Sequence, residues 1–295
     1  MMPRSETTAW TLESNRLKIR VAKPGFIYQR TRFDWTGLVT DVLLDNTHSF
    51  CSVESPNPLV GAGGIGLVSE FGIHEPIGYD TAAIGDTFPK LGVGLLERPD
   101  DADYFFMRPY PLTPFPTTVT PVENGLRFEQ APIACRGYAA RLTKTLTLVD
   151  NAVTVSFLLE NVGEKPLETT EYNHNFLQLN GQPTGSGYRF TTAVPLRFHR
   201  NDNSLWSSDG TLTWEDGVQG FHAHGREIPD MAGFSWTLRQ QLHGIAVTES
   251  VDFRPLRVAC WGMAHVISPE VFHQIRLAPG ESDAWTRRWI FESGV

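Results

Sequence analysis

The stretch YNHNFLQLNG, residues 172–181, shows the fold class of this chain most directly. Its side chains alternate with a period of two, which predicts a β-strand that ends at the turn of Gly181. Leu177 and Leu179 share one face with two asparagines, whereas the other face carries His174, a glutamine and two aromatic rings. A packed core seldom combines these groups, and a solvated face seldom carries two aromatic rings. The second face is therefore typical of a binding cleft.

The rest of the chain repeats this alternation. Residues 15–22 and 37–44 predict two strands, and residues 143–159 predict a hairpin that turns at Asp150 and Asn151. Further short strand patterns follow at residues 187–198, 211–214, 233–238, 244–250, 257–266, 271–277 and 284–292. No helical pattern extends beyond about two turns. We predict an all-β fold, a large antiparallel β-sandwich that forms one domain over residues 1–295.

Composition and charge restrict the class of protein. The net charge of −8 and the sequence pI near 5.6 argue against a nucleic-acid partner, because phosphates would be repelled. Cys51, Cys135 and Cys260 are odd in number and widely spaced, so we expect reduced thiols and neither a zinc site nor a disulfide framework. No apolar leader and no membrane-spanning run is apparent, which predicts a soluble, cytoplasmic protein.

A glycine-rich run, GAGGIG at residues 61–66, lies in the least regular part of the sequence. It has the spacing of a phosphate-binding loop, but no strand pattern precedes it and no βαβ unit follows, so a nucleotide site is rejected. Residues 58–97 are instead predicted to form a long irregular loop of the kind that acts as a lid or binding loop.

The second stretch of interest is SPEVF, residues 268–272. Pro269 predicts a strand edge or bulge, which would place Glu270 where a strand opens to a cleft. Taken alone, Glu270 is an ordinary exposed carboxylate and His174 an ordinary structural imidazole. Taken together, they form a general acid and a general base that could face each other across a sugar.

Such a pair can exchange the anomers of a sugar. One group protonates the ring oxygen while the other removes the proton of the anomeric hydroxyl, and the ring opens. Rotation about the C1–C2 bond and reversal of the proton transfers then close the ring with C1 inverted. Each positioned proton transfer contributes on the order of 10²–10⁴ in rate. This chemistry needs no metal, nucleotide or covalent intermediate, so we predict no cofactor.

These motifs resemble those of the aldose 1-epimerases (galactose mutarotases). Residues 172–181 are similar to that family's Asn-His-x-x-Phe-x-Leu-x-Gly segment, residues 260–272 to its C-terminal segment with the catalytic Glu, and LAPGE at residues 277–281 to the turn that follows. The resemblance implies a β-supersandwich over nearly the whole chain, with His174 as the acid and Glu270 as the base. Two features depart from the family: proline precedes the glutamate here, and the His-Gly-Gly loop is missing.

Five residues are predicted to bind the substrate: Arg32, His74, Lys90, Tyr172 and Trp261. Arg32 lies where the family usually has an arginine for sugar hydroxyls, and His74 could replace the missing loop histidine. The alternatives are an Arg32 paired with Asp34 and a solvated His74. Lys90 either faces a cleft or extends its ammonium along apolar surface, and Trp261 either stacks on a sugar or packs in the core.

The predicted function is a sugar mutarotase that interconverts α and β anomers, with a small-molecule sugar as its partner and no membrane or nucleic-acid partner. The alternatives are a non-catalytic carbohydrate-binding protein and a polysaccharide lyase or glycoside hydrolase on the same fold. His222 and His224 alternate onto one face, but no third ligand is evident, so they are interpreted as structural and no metal site is predicted. The sequence leaves open which sugar is used, whether it is phosphorylated, and the oligomeric state.

Overall fold

The computed structural model describes residues 4–5, 7–200, 205–208, 210–228 and 230–295, which form β-strands and one short 3-10 helix at Leu179–Gly181. The strands are β1 (Arg4–Ser5), β2 (Ala9–Glu13), β3 (Leu17–Ala22), β4 (Val39–Leu44), β5 (His48–Ser49), β6 (Leu67–Phe71), β7 (Thr87–Lys90), β8 (Gly94–Glu97), β9 (Leu112–Pro114), β10 (Thr117–Val122), β11 (Gly125–Gln130), β12 (Ala140–Val149), β13 (Ala152–Asn161), β14 (Leu167–Asn175), β15 (Tyr188–Thr192), β16 (Arg197–Arg200), β17 (Leu205–Ser208), β18 (Thr211–Trp214), β19 (Gly220–Arg226), β20 (Phe234–Gln240), β21 (Ile245–Val251), β22 (Arg257–Met263), β23 (Val266–Leu277) and β24 (Ser282–Ser293). Within the described ranges there is no α-helix, and no helical segment is long and apolar enough to cross a membrane.

Two large antiparallel sheets and one small sheet contain these strands. The first sheet has the order β1-β2-β3-β4-β6-β14-β23-β22-β19-β16, with β5 paired to β4. The second sheet has the order β10-β11-β12-β13-β24-β21-β20-β15-β18-β17, and the small sheet is β7-β8-β9. The prediction of an all-β, large antiparallel β-supersandwich is confirmed. β14 and β23, which carry His174 and Glu270, are neighbours near the middle of the first sheet.

The apolar core lies between the two large sheets. Phe71 of the first sheet packs edge-on against Trp285 of the second, and Phe50 packs against Phe291 with ring centroids 4.8 Å apart. The predicted alternation produces these inward faces because side chains two apart point to the same side of a strand. The predicted hairpin is β12 and β13, in which Val149 pairs with Ala152 across the turn.

Charged side chains also lie between the sheets, directly behind β14. Arg287 Nη2 is 2.7 Å from Glu171 Oε2 and its Nη1 is 2.8 Å from Glu249 Oε1, and all three side chains are fully buried. Asn175 donates from Nδ2 to Glu249 Oε2 over 3.2 Å and accepts from Trp289 Nε1 over 2.9 Å. This network ties β14 of the first sheet to β21 and β24 of the second, and so holds the strand that carries His174.

Two sequence predictions about element boundaries are wrong. Residues 58–97 contain β6, β7 and β8, so only part of this segment is irregular. Pro269 does not end a strand but lies inside β23, where it pairs with Cys260. A proline fits there because the ladder between β14 and β23 is interrupted: Asn175 donates its backbone N–H to the Ser268 hydroxyl, and its Nδ2 to the Pro269 carbonyl over 2.7 Å.

Candidate active site

His174 and Glu270 face each other across two neighbouring strands. β14 and β23 keep one register from Tyr172 to Leu177, and this register places His174 opposite Glu270. Both side chains lie on the face of the first sheet that points away from the second sheet. Nε2 of His174 is 3.4 Å from Oε1 of Glu270, and both side chains are at least nine-tenths buried. The structure therefore brings together the acid and base candidates that the sequence predicts.

Neighbouring side chains hold the imidazole of His174 by a hydrogen bond and by stacking. Ser268 Oγ lies 2.5 Å from Nδ1, and the backbone N–H of Asn175 donates to the same oxygen over 3.1 Å. Phe176 stacks on the imidazole with ring centroids 4.0 Å apart and planes 10° from parallel. Either group could donate in the contact between Ser268 and Nδ1. The tautomer that lets His174 exchange a proton with Glu270 carries its ring proton on Nδ1, which donates to the Ser268 oxygen and leaves Nε2 facing Glu270 as an acceptor.

Burial shifts the two pKa values of the pair in opposite directions. Burial lowers the pKa of His174 well below its usual value, and the charges of Arg32 and His222 lower it further. Burial raises the pKa of Glu270 to about 8, against the opposing effect of the Arg257 and Arg32 cations. At neutral pH the empty pair is therefore uncharged and holds its exchangeable proton on the carboxyl group.

The pair opens into a cavity of about 420 Å³. Four of the five predicted substrate-binding residues line it: Arg32, His74, Tyr172 and Trp261. Trp261 meets the imidazole of His174 edge-on, with ring centroids 5.4 Å apart. Burial is the largest of the causes that raise the pKa of Tyr172 well above its usual value, so its hydroxyl keeps its proton. Aromatic rings beside fixed polar groups suit a ligand with apolar faces and many hydroxyls.

Arg32 is held in the cavity wall by a buried carboxylate. Its Nε donates to Glu70 Oε2 over 2.9 Å and its Nη2 donates to the Tyr172 hydroxyl oxygen over 3.1 Å. That hydroxyl donates in turn to Glu70 Oε2 over 2.5 Å. The alternative pairing of Arg32 with Asp34 is wrong, because Asp34 binds the buried ammonium of Lys144 at 2.8 Å.

The prediction that Lys90 binds the substrate is wrong. Its side chain is only 1% exposed and does not line the cavity. The ammonium lies 3.3 Å from Glu70 Oε1 and donates to the Gly72 carbonyl over 3.2 Å. Lys90 neutralises the carboxylate that positions Arg32, and so supports the cavity wall from behind.

The glycine-rich run binds an anion, but this anion belongs to the chain itself. The backbone N–H groups of Ala62 and Gly64 donate to Glu54 Oε2 over 2.7 and 3.0 Å, and Glu54 Oε1 is 3.4 Å from Nη1 of Arg32. A Cβ at Gly64 would lie 2.3 Å from the ring of Phe176, which explains why this position has no side chain. The amide donors of the run are occupied by Glu54, so this arrangement is consistent with the view that the run is not a phosphate-binding loop.

Four residues of the site are given no role by the sequence: Glu54, Glu70, Arg257 and Ser268, although Ser268 belongs to the SPEVF stretch. Their common signal is a polar side chain at a position where the strand or loop is otherwise apolar or glycine-rich. His222 and His224 also line the cavity, with ring centroids 4.0 Å apart. Their interpretation as structural stays a prediction. Across the described ranges, no group of three histidine, cysteine or acidic side chains is placed to hold a metal ion.

Comparisons with known proteins agree with this architecture. No family model and no curated protein matches the chain. Among solved structures, it is similar to a galactose mutarotase related enzyme from Lactobacillus acidophilus, with a TM-score of 0.61 and 12% identity over 97% of each chain. It is also similar to a galactose mutarotase-like protein from Clostridium acetobutylicum, with a TM-score of 0.58 and 10% identity over 97% of this chain and 95% of that one.

A third solved structure, an aldose epimerase homologue from C. elegans, has a TM-score of 0.56 and 9% identity over 96% of this chain and 98% of that one. At such low identity these similarities establish the fold only, and the chemistry has to be argued from the residues of the site. The chain has the β-supersandwich of the galactose mutarotase-like proteins, over nearly its full length.

Proposed function

We propose that this protein is a sugar mutarotase that interconverts the α and β anomers of an aldose by acid–base ring opening. The observation that carries the proposal is the distance of 3.4 Å between His174 Nε2 and Glu270 Oε1 at the wall of a polar, aromatic cavity. Ring opening requires two groups with opposite proton preferences, one within reach of the ring oxygen and one within reach of the anomeric hydroxyl. The proposal invokes no cofactor, because the two proton transfers complete the reaction.

In the proposed mechanism, one proton is shared between the two side chains throughout the cycle. A bound sugar places its ring oxygen against His174 and its anomeric hydroxyl against Glu270. Hydrogen bonds from sugar hydroxyls favour the carboxylate and move the exchangeable proton to His174. His174 then protonates the ring oxygen while Glu270 removes the hydroxyl proton, and the ring opens to the aldehyde.

The protonation state after ring opening is the one that the empty site prefers. His174 is then neutral and Glu270 is protonated, which is the direction in which burial shifts both pKa values. The open-chain intermediate therefore meets a pair that need not hold a buried charge. Rotation about the C1–C2 bond followed by the reverse transfers closes the ring on the other face.

The second candidate class, a glycoside hydrolase, is less well supported. A hydrolase of the usual kind needs two carboxyl groups that flank the bond to be broken. Here the group opposite Glu270 is an imidazole. The other carboxylate that lines the cavity, Glu54, is already bonded to Arg32 and to two backbone amides.

The decisive experiment measures anomer exchange by NMR saturation transfer over a panel of aldoses. Wild type should accelerate exchange, and His174→Gln and Glu270→Gln should each abolish the acceleration while sugar binding persists. Glu129→Gln is the matched control, because Glu129 lies on β11 of the second sheet and pairs with Arg127 at the surface. Sugar binding without exchange by wild type would favour the third candidate, a non-catalytic carbohydrate-binding protein.

A further inference from the structure

Arg257 lies beside the proposed catalytic pair on the same face of the first sheet. It is the first residue of β22 and pairs with Phe272 of β23, whereas Ala259 pairs with Glu270. Two residues along a strand correspond to about 7 Å, a distance comparable with the length of a hexose. The guanidinium of Arg257 stacks over the ring of Phe272, with its central carbon 3.7 Å from the ring centroid. The stacking therefore holds the side chain in place without a polar partner among the described residues.

Charge balance distinguishes Arg257 from the other enclosed arginines. Arg32 and Arg287 each contact two carboxylates. Arg257 forms no ion pair with any residue in the part of the chain that the structure describes, and its buried Nε has no hydrogen-bond partner there. A buried donor without an acceptor costs free energy, so its retention points to an acceptor supplied from outside the chain.

The surroundings of Arg257 leave room for such an acceptor. Arg257 and His74 line both the active-site cavity and an adjoining cavity of about 530 Å³. Two acidic residues line the adjoining cavity, but neither neutralises Arg257. Glu168 accepts a hydrogen bond from Arg276 Nε over 2.8 Å, and Glu75 is exposed to solvent. The junction of the two cavities therefore carries uncompensated positive charge.

We propose that Arg257 binds an anionic group of the sugar, a phosphate or a carboxylate on a carbon distant from C1. This inference rests on the proposed function, because the pair of His174 and Glu270 defines which end of the sugar is C1. A planar guanidinium presents parallel N–H donors that match the oxygens of either anion. The substrate class is then an anionic aldose, with its charged group at the junction of the two cavities and its anomeric carbon against the pair.

The test compares the affinity of an anionic sugar with that of its neutral counterpart, by calorimetric titration with glucose, glucose 6-phosphate and glucuronate, and with the matching galactose series. Wild type should bind at least one anionic sugar about tenfold or more tightly than the neutral sugar. A preference for the phosphate identifies sugar phosphates as substrates, and a preference for the carboxylate identifies uronates. The readout is the ratio of the two affinities, because a general change in the shape of the cavity would alter the binding of both sugars and leave their ratio unchanged.

Variants assign this preference to Arg257. Arg257→Gln should bring the affinity ratio close to one, and Arg257→Lys should retain part of the preference because the charge remains while the planar donor pair is lost. Arg254→Gln is the matched control, because Arg254 is three residues away, is 64% exposed at its side chain and pairs with Asp230. This control should leave the ratio as in wild type.

Two results would overturn the inference: no preference for an anionic sugar in wild type, or a preference that survives Arg257→Gln. Anomer exchange is recorded on the same samples to separate the two proposals. Exchange of neutral sugars without an anionic preference overturns the role of Arg257 alone. An Arg257-dependent preference without any exchange retains the anion site and overturns the mutarotase function.

Discussion

The hydroxyl oxygen of Ser268 lies 2.5 Å from Nδ1 of His174, on the edge of the imidazole away from Glu270. The backbone N–H of Asn175 donates to that oxygen, which has a second lone pair that can accept the Nδ1–H of His174. The serine thereby keeps the ring proton of neutral His174 on Nδ1 and leaves Nε2, which faces Glu270, to exchange the catalytic proton. In the proposed mechanism this makes Ser268 a positioning residue, since its hydroxyl acts through the imidazole.

Replacement of Ser268 by alanine should therefore affect turnover more than binding. We expect kcat for anomer exchange to fall by about tenfold, which corresponds to roughly 1.4 kcal/mol of activation free energy, with little change in KM. Nitrogen NMR of the His174 ring should show loss of the single Nδ1–H form. The control is Ser250→Ala, at a surface serine that donates to a backbone carbonyl. An unchanged kcat together with an unchanged ring tautomer would contradict the role given to Ser268.

The pH dependence of anomer exchange should report the shared proton. Because the pKa of Glu270 is raised to about 8, the pair loses its proton above that pH, and kcat/KM should decline there. The cation of Arg257 opposes this rise, so Arg257→Gln should move the alkaline decline to higher pH. The measurement is a pH profile of kcat/KM with a neutral aldose. A decline at the same or a lower pH in the variant would show that Arg257 does not act on Glu270.

The same carboxyl group should make folding stability depend on pH. Its pKa is raised from 4.5 to about 8 in the folded protein, so between these values the folded chain holds a proton that the unfolded chain has released. Stability is then fully present below the lower value and falls as pH rises, by at most about 1.4 kcal/mol per pH unit. Glu270→Gln cannot titrate and should lack this decline. Urea unfolding of both proteins across this pH window checks it, and parallel stability curves would contradict the raised pKa.

The ionic network behind β14 predicts a large effect on stability. Arg287→Met leaves the fully buried carboxylates of Glu171 and Glu249 without their common partner. We expect a loss of about 3–5 kcal/mol in the free energy of unfolding, as for other buried ion pairs that lose one partner. Arg288→Met is the matched control, because the adjacent Arg288 is exposed. Equal stability of the two variants would mean that the network does not contribute as described.

The sequence indicates the fold and the central pair for identifiable physical reasons. Alternation with a period of two places side chains on faces, so the sequence alone assigns His174 to the opposite face from Leu177. Glu270 stands out because its segment resembles a known motif. The register between β14 and β23 depends on contacts between distant parts of the chain, and it is this register that sets the distance between the pair.

The remaining features of the site required three-dimensional information. Lys90 has glycine and apolar neighbours in the sequence. This pattern is the same whether its ammonium faces a cleft or a buried carboxylate. Arg257 looks like an ordinary charge at the start of a strand, and only the structure shows that it stacks on Phe272 without an acidic partner among the described residues. That the chain forms one domain and is cytoplasmic stays a prediction.

The glycine-rich run has a consequence for the way a ligand enters the cavity. The run binds the carboxylate of Glu54 and holds it beside Arg32. The two carboxylates of Glu54 and Glu70 then balance the two cations of Arg32 and Lys90 at one wall of the cavity. Where the active-site cavity meets its neighbour, the charge of Arg257 is left uncancelled by the described residues. The cavity therefore has an uncancelled positive charge at one end only, whereas the hydroxyls of a sugar ring are similar at both ends. A negatively charged substituent on the sugar would set the orientation of the ring before any hydroxyl is recognised.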